Sequence, residues 1–161
     1  MKLALHGAGG RMGRAIVKAA LEAGGDVRLV AAVDRDGSTV LGRDVGELAG
    51  LPACGVVVTG GLDALNSTTP DVVIDFSSPA ATAALARALA AHGGRALVVG
   101  TTGLDADANA ALDALGKTAA VLVAPNTSVG VNVLFHLAAE ATRLLGPDFD
   151  AEIIEMHHKL K

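Results

Sequence analysis

Seven residues near the amino terminus, Gly7-Ala8-Gly9-Gly10-Arg11-Met12-Gly13, carry the plainest chemical signal in the sequence. They follow the apolar run Leu3–His6 and open a helical pattern in which Ile16, Val17, Ala20 and Leu21 share one face. A phosphate reaches backbone N–H groups closely only where side chains are missing, and a helix start supplies unpaired donors together with the positive end of the dipole. The pattern G-x-x-G-x-x-G runs through Gly7, Gly10 and Gly13, whereas G-x-G-x-x-G counted from Gly7 puts Met12 in the last place. A merely tight turn is the alternative for any glycine cluster, but a strand before it and a helix after it favour a dinucleotide loop. The P-loop pattern G-x-x-x-x-G-K-[ST] is absent.

Asp34 ends the second apolar run, 21 residues beyond Gly13. That is close to the ~20 residues at which an acid accepts hydrogen bonds from the adenosine ribose. Arg35 follows at once and is suited to a 2′-phosphate, so the pair is compatible with both NADH and NADPH; a solvated loop charge is the alternative for Arg35.

Three further segments stand at the ends of later apolar runs: Phe76-Ser77-Ser78, Gly100-Thr101-Thr102-Gly103 and Ala124-Pro125-Asn126-Thr127. In an open α/β sheet the carboxyl ends of the strands line the ligand crevice, so these are expected to converge on the cofactor side. For Ser78, helix capping is the favoured reading, and Thr101-Thr102 is also readable as a turn. No Ser–His–Asp arrangement accompanies them.

The chain closes on Glu152-Ile153-Ile154-Glu155-Met156-His157-His158-Lys159-Leu160-Lys161. Two histidines followed by lysines concentrate positive donors that suit an anionic carboxylate, and histidine passes protons near neutrality. Zinc is disfavoured, because adjacent histidines on a strand face opposite ways and no third ligand is evident; no metal is expected. Taken alone, the run also reads as a charged tail.

These residues need a frame. Apolar runs at Leu3–His6, Val27–Val33, Val56–Thr59, Val72–Phe76, Ala96–Val99 and Ala120–Ala124 alternate with helical patterns, the signature of a doubly wound parallel sheet. One helix ends at Gly24-Gly25; a second has Ser78 at its N-cap, Pro79 first and His92-Gly93 at its close; a third opens at Leu104-Asp105 and ends before Gly116. Beyond Pro125-Asn126-Thr127-Ser128, the residues Val131, Leu134, Phe135, Ala138 and Leu145 mark a longer helix stopped by Gly146-Pro147. Phe149–Met156 reads as a strand with nothing left to pair it, so the chain is expected to be part of a longer protein.

Composition narrows the classes. A length of 161 residues suits one domain, and 51% hydrophobic with only 2% aromatic residues describes a core of Ala, Val and Leu rather than a base-stacking surface. A net charge of −4 gives no general field for nucleic acid or anionic lipid, so neither is expected as a partner. Cys54 is the only cysteine, which excludes an internal disulfide. No signal-peptide or membrane-span pattern is present, and a cytoplasmic location is expected.

With both ends read, the sequence resembles the 4-hydroxy-tetrahydrodipicolinate reductase (dihydrodipicolinate reductase) family in five motifs. They are GAGGRMG at Gly7–Gly13, Asp75-Phe76-Ser77, GTTG at Gly100–Gly103, NTSVGVN at Asn126–Asn132, and EIIEMHHKLK at Glu152–Lys161. The last matches a family pattern E-x-H-H-x-x-K. The resemblance implies a Rossmann-like dinucleotide domain over 1–127 and, over 128–161, the start of an α+β substrate and tetramerisation domain. It implies that Gly7, Ala8, Gly9, Gly10, Arg11 and Met12 hold the diphosphate of NADH or NADPH, and that Asp34 and Arg35 hold the adenosine ribose. Phe76, Gly100, Thr101, Thr102, Ala124, Pro125, Asn126 and Thr127 would line the nicotinamide side; some members have an aromatic residue where Thr127 stands. His157 and Lys161 would be the proton-transfer residues and His158 a ligand of a dicarboxylate substrate. The family continues with a D-x-P-S-G-T segment and a sheet that forms a homotetramer, neither of which this sequence contains.

Overall fold

Strands buried on both faces need no alternation of polar residues, and in β1 (Lys2–His6) every residue after Lys2 is buried. The computed structural model describes residues 1–154 and 156, in two units, Met1–Pro125 and Asn126–Lys161. The first unit is a sheet of β1, β2 (Arg28–Asp34), β3 (Val58–Gly60), β4 (Val72–Asp75), β5 (Ala96–Val99) and β6 (Val121–Val123), all paired in parallel in the order β3-β2-β1-β4-β5-β6. This is the Rossmann order, with the chain reversing its direction of travel across the sheet between β1 and β4.

Helices cover both faces. Leu3 and Leu5 turn one way, into a cluster with Val17 of α1 (Arg11–Ala23) and Val45 and Leu48 of α2 (Val45–Leu48). Ala4, Val73 and Leu97 turn the other way, toward Leu65 of α3 (Asp63–Thr68), Leu85 and Leu89 of α4 (Pro79–Ala91) and Leu112 and Leu115 of α5 (Ala106–Gly116). Ala83, Ala86, Ala108 and Ala111 belong to that second cluster; small side chains of this kind let α4 and α5 approach one another closely.

All six expected strands form, and the three expected helices of the first unit begin and end within about two residues of their signals. The short α2 and α3 were not expected. Asp44 starts α2: its carboxylate accepts from Gly46 N (2.8 Å), Cys54 N (3.0 Å) and Gly55 N (2.8 Å), and these bonds, led by Cys54, hold its carboxyl below the usual value. A four-residue helix has no periodicity, so only its cap was readable. Ser78 occupies the N-cap of α4, yet its hydroxyl makes no capping bond.

In the second unit, α6 (Val129–Leu145) is capped by Ser128, whose Oγ accepts from Val131 N (3.5 Å), and it ends at Gly146. The expected strand at Phe149–Met156 does not form among the described residues. A strand exists only against a partner, and Phe149 N instead donates back to Gly146 O (3.4 Å) in a local turn.

Candidate functional site

Gly7 leaves β1 with φ +81°, and its N–H and that of Ala8 both donate to Val33 O (2.9 and 3.1 Å), which folds the loop back over β2. The loop is packed closely against neighbouring backbone and side chains. A Cβ on Gly7 would lie 2.8 Å from the carbonyl carbon of Phe76, and one on Gly13 would lie 2.6 Å from Ala8 O and closer still to Gly7 O. On Gly9 it would meet Val40 (2.6 Å) and the Asp34 carboxylate (2.8 Å), whereas on Gly10 its only neighbour is Gly7 O at 3.3 Å, with open space beyond. Each glycine thus answers a different demand: three pack against the protein and Gly10 faces the cleft.

Two hydrogen bonds close the loop, Gly10 N to Gly7 O (3.2 Å) and Arg14 N to Gly10 O (3.1 Å). The amides of Arg11, Met12 and Gly13, between them, meet no acceptor among the described residues, and Gly10 as N-cap offers no side chain to take one. Unpaired donors at the start of a 13-residue helix, approached through a glycine gap, suit an anion with two charges.

Asp34, at the end of β2, ties the loop to the next strand. Its Oδ2 accepts from Gly9 N (2.6 Å) and its Oδ1 from Arg35 N (2.9 Å). Each oxygen retains a lone pair for a hydroxyl ligand. Arg35 is exposed, at the start of a turn closed by Ser38 N donating to Arg35 O (3.1 Å).

The cleft these elements frame, about 440 Å³, opens where β1 and β4 part. Gly7, Gly9, Gly10, Asp34, Arg35 and Phe76, all expected as coenzyme ligands, line it. His6, Arg14, Ser38 and Thr39 also line it and were not anticipated as site residues; the Asp36-Gly37 turn signal could have pointed to Ser38 and Thr39. A hollow of about 520 Å³ lies at the other end of the sheet, beside Lys2, Arg28 and Cys54, away from the carboxyl ends of the strands. It has none of the helix-start donors.

Beneath the cleft sits Asp75, fully buried at the end of β4. Its Oδ1 accepts from Ser77 Oγ (2.6 Å) and pairs with His6 Nδ1 (2.7 Å); its Oδ2 accepts from Thr82 Oγ1 (2.5 Å) and Thr101 Oγ1 (2.9 Å). Burial pushes the Asp75 carboxyl up, but bonds from His6, Ser77 and Thr82 together with the charge attraction of His6 outweigh it, and the carboxyl rests below its usual value. One carboxylate therefore joins β1, β4, α4 and the turn after β5.

Other expected residues fall nearby in different roles. Ala8 is buried as packing, while Arg11 and Met12 project their side chains to solvent and offer backbone only. Gly100 lies under the Phe76 ring, where any Cβ would overlap ring carbons. Thr101 is spent on Asp75 and on accepting from Ser77 N (2.9 Å), and Thr102 is exposed. Ala124 continues the ladder through its N–H to Val99 O (2.8 Å), with Pro125 exposed after it. Asn126 and Thr127 belong to the second unit, where Asn126 Oδ1 accepts from Ser128 N (2.9 Å). His157, His158 and Lys161 lie outside the described residues. Among the described residues no cluster of metal-ligating side chains occurs, and no helix is long and apolar enough to cross a membrane.

Comparison with known proteins agrees with this geometry. The 4-hydroxy-tetrahydrodipicolinate reductase of Alkalilimnicola ehrlichii is 48% identical over 160 residues, 99% of this chain and 59% of that protein. That of Myxococcus xanthus is 43% identical over 162 residues, 100% of this chain and 59% of that protein. A solved structure of dipicolinate-bound dihydrodipicolinate reductase from Paenisporosarcina sp. TG-14 superposes with a TM-score of 0.69 at 25% identity, covering 88% of this chain and 53% of that one. The chain spans about 59% of the length of these curated relatives. The family model described as dihydrodipicolinate reductase, N-terminus, matches residues 1–127, and the chain belongs to that family.

Proposed function

We propose that this chain is the coenzyme-binding portion of a cytoplasmic NAD(P)H-dependent reductase that converts 4-hydroxy-tetrahydrodipicolinate to tetrahydrodipicolinate in lysine and diaminopimelate biosynthesis. The observation that carries the reading is the row of unpaired amides at the start of α1, reached across Gly10. When bound, the reduced nicotinamide supplies hydride. The chain's own residues then have simpler tasks. Gly7, Gly9 and Gly10 admit the diphosphate, the amides of Arg11, Met12 and Gly13 bind it, Asp34 accepts from the ribose, and Phe76 with Gly100 floors the cleft. His157 and Lys161 are proposed to handle the proton, and His158 a substrate carboxylate, by virtue of the terminal HHKLK run. The relatives' shared name and the dipicolinate seen in the neighbouring structure support a dicarboxylate substrate. For the full-length protein a homotetramer is proposed from the family resemblance.

NADH titrated into the chain and followed by its own fluorescence is expected to saturate, whereas reduction of the dicarboxylate by the 161 residues alone is expected to be weak or nil. Absence of saturable binding would refute the coenzyme reading. Robust turnover would show that these residues suffice for catalysis, against the second reading, a non-catalytic NAD(P)-binding module.

Both coenzymes are proposed to bind, because Arg35 stands exposed beside Asp34. Arg35→Ala is expected to weaken NADPH roughly tenfold, the order of one charge-assisted bond, and NADH by less than about twofold. Parallel titrations with the two coenzymes check this; equal losses would place Arg35 on the shared part of the molecule.

A further inference from the structure

Three residues of β1 before His6 are apolar and buried. The fourth is a histidine buried against a buried carboxylate, with only 6% of its surface exposed. Removing two polar groups from water calls for a reason, since an apolar pair of similar volume is often at least as stable. Satisfying Asp75 is not that reason, because Ser77, Thr82 and Thr101 already donate to its two oxygens. The imidazole is the additional donor.

Its position indicates what it adds. His6 immediately precedes Gly7, and it forms wall for both the main cleft and a smaller hollow of about 140 Å³ bordered by Asp34, Arg35 and Leu62. Nδ1 is held by Asp75 at 2.7 Å, and Nε2 meets no partner among the described residues. Asp75 thus fixes the ring at one nitrogen and leaves the other beside the space assigned above to the coenzyme, a reading on which this inference rests.

We infer that His6 is a coenzyme-binding residue: its imidazolium, anchored and charge-balanced by Asp75, adds to the attraction for the diphosphate, so NADH affinity declines as the pH rises through the histidine range. The other ionisable groups on this cleft are carboxylates and guanidinium groups. Arg14 faces it from α1, Asp34, Arg35 and Asp36 border the two hollows from the end of β2 and its turn, Asp75 comes from β4, and α4 and the turn after β5 present only Thr82, Ala81, Ala84 and Thr101. Carboxylates and guanidinium groups ordinarily titrate outside the histidine range.

The test uses NADH, whose diphosphate does not titrate near neutrality, rather than NADPH, whose 2′-phosphate does. Dissociation constants are measured by coenzyme fluorescence between about pH 6 and about pH 8 for the chain and for His6→Asn, whose amide can still donate to Asp75 but cannot be protonated. The chain's constant is expected to rise roughly three- to tenfold across that interval, as follows if binding raises the histidine pKa by about half to one unit, and the variant's to stay level. A slope that persists in His6→Asn, or a level response in the chain itself, overturns the inference while leaving NADH binding intact. No saturable binding at any pH overturns the coenzyme reading and this inference together. Should the variant fail to fold, the imidazole Cε1–H resonance of His6 is titrated in the unaltered chain; its midpoint is expected to move up on saturation with NADH, and an unmoved midpoint refutes the inference.

Discussion

Gly13→Ala is expected to remove measurable NADH binding and to destabilise the fold by about 2–4 kcal/mol, the range of an overpacked site that cannot relax. The reason is the identity of the obstructing atoms. The new methyl would press on the carbonyl oxygens of Gly7 and Ala8, which are part of the loop itself, so α1 could make room only by lifting away from β1. Gly10→Ala supplies the contrast. Gly10 has φ −72° and ψ 169°, a conformation open to any residue, and its methyl would point into the cleft with only Gly7 O nearby. Its stability is expected to stay within about 1 kcal/mol of the parent while NADH affinity drops tenfold or more, because the methyl occupies the phosphate approach. Urea denaturation and coenzyme titration on both variants separate the two effects. A Gly13→Ala chain with an unchanged urea midpoint would mean that the loop has room the geometry denies.

Asp75→Ala is expected to cost about 3–5 kcal/mol, since it strands the buried donors of His6, Thr82 and Thr101 in the interior at once. Acid titration of stability carries an independent signature. The carboxyl is held below its ordinary 3.8, so its contribution is complete above that pH and is lost as the pH falls through the lower folded-state value. The parent is therefore expected to lose more stability than Asp75→Ala as the solution is acidified below about 4, and the two curves to converge. Asp44, also depressed, titrates in both proteins and cancels in the difference. Parallel curves would show that folding does not hold the Asp75 carboxyl below its ordinary value.

Different parts of the molecule were legible in the sequence to different degrees, and the reasons are physical. The central strands and the glycine loop declare themselves because burial on both faces demands unbroken Val, Leu and Ala, and because closeness to main chain demands Gly. Asp34 was singled out by spacing as a ribose ligand, and it lines the cleft; its bond to Gly9 N was invisible because a contact to a backbone amide leaves no mark on residue choice. Thr101 was expected on the coenzyme side, and its bond to Asp75 was not foreseen, since a hydroxyl after a strand looks the same whether it turns outward or inward. His6 was read as one more strand residue. Only the pairing of β1 with β4, which sets His6 opposite Asp75, reveals it, and that pairing spans 69 residues of chain.

That span has a further consequence for how the molecule comes into being. β1 lies in the middle of the sheet, flanked by β2 and β4, and its neighbour β4 follows it in the chain only at Val72–Asp75. During translation the nascent Leu3–Leu5 run and its β2 neighbour wait with one edge open, a stage at which sticking to another chain competes with maturation. The buried carboxylate arrives with β4 itself, so closing that edge and assembling the polar knot beneath the cleft are one event.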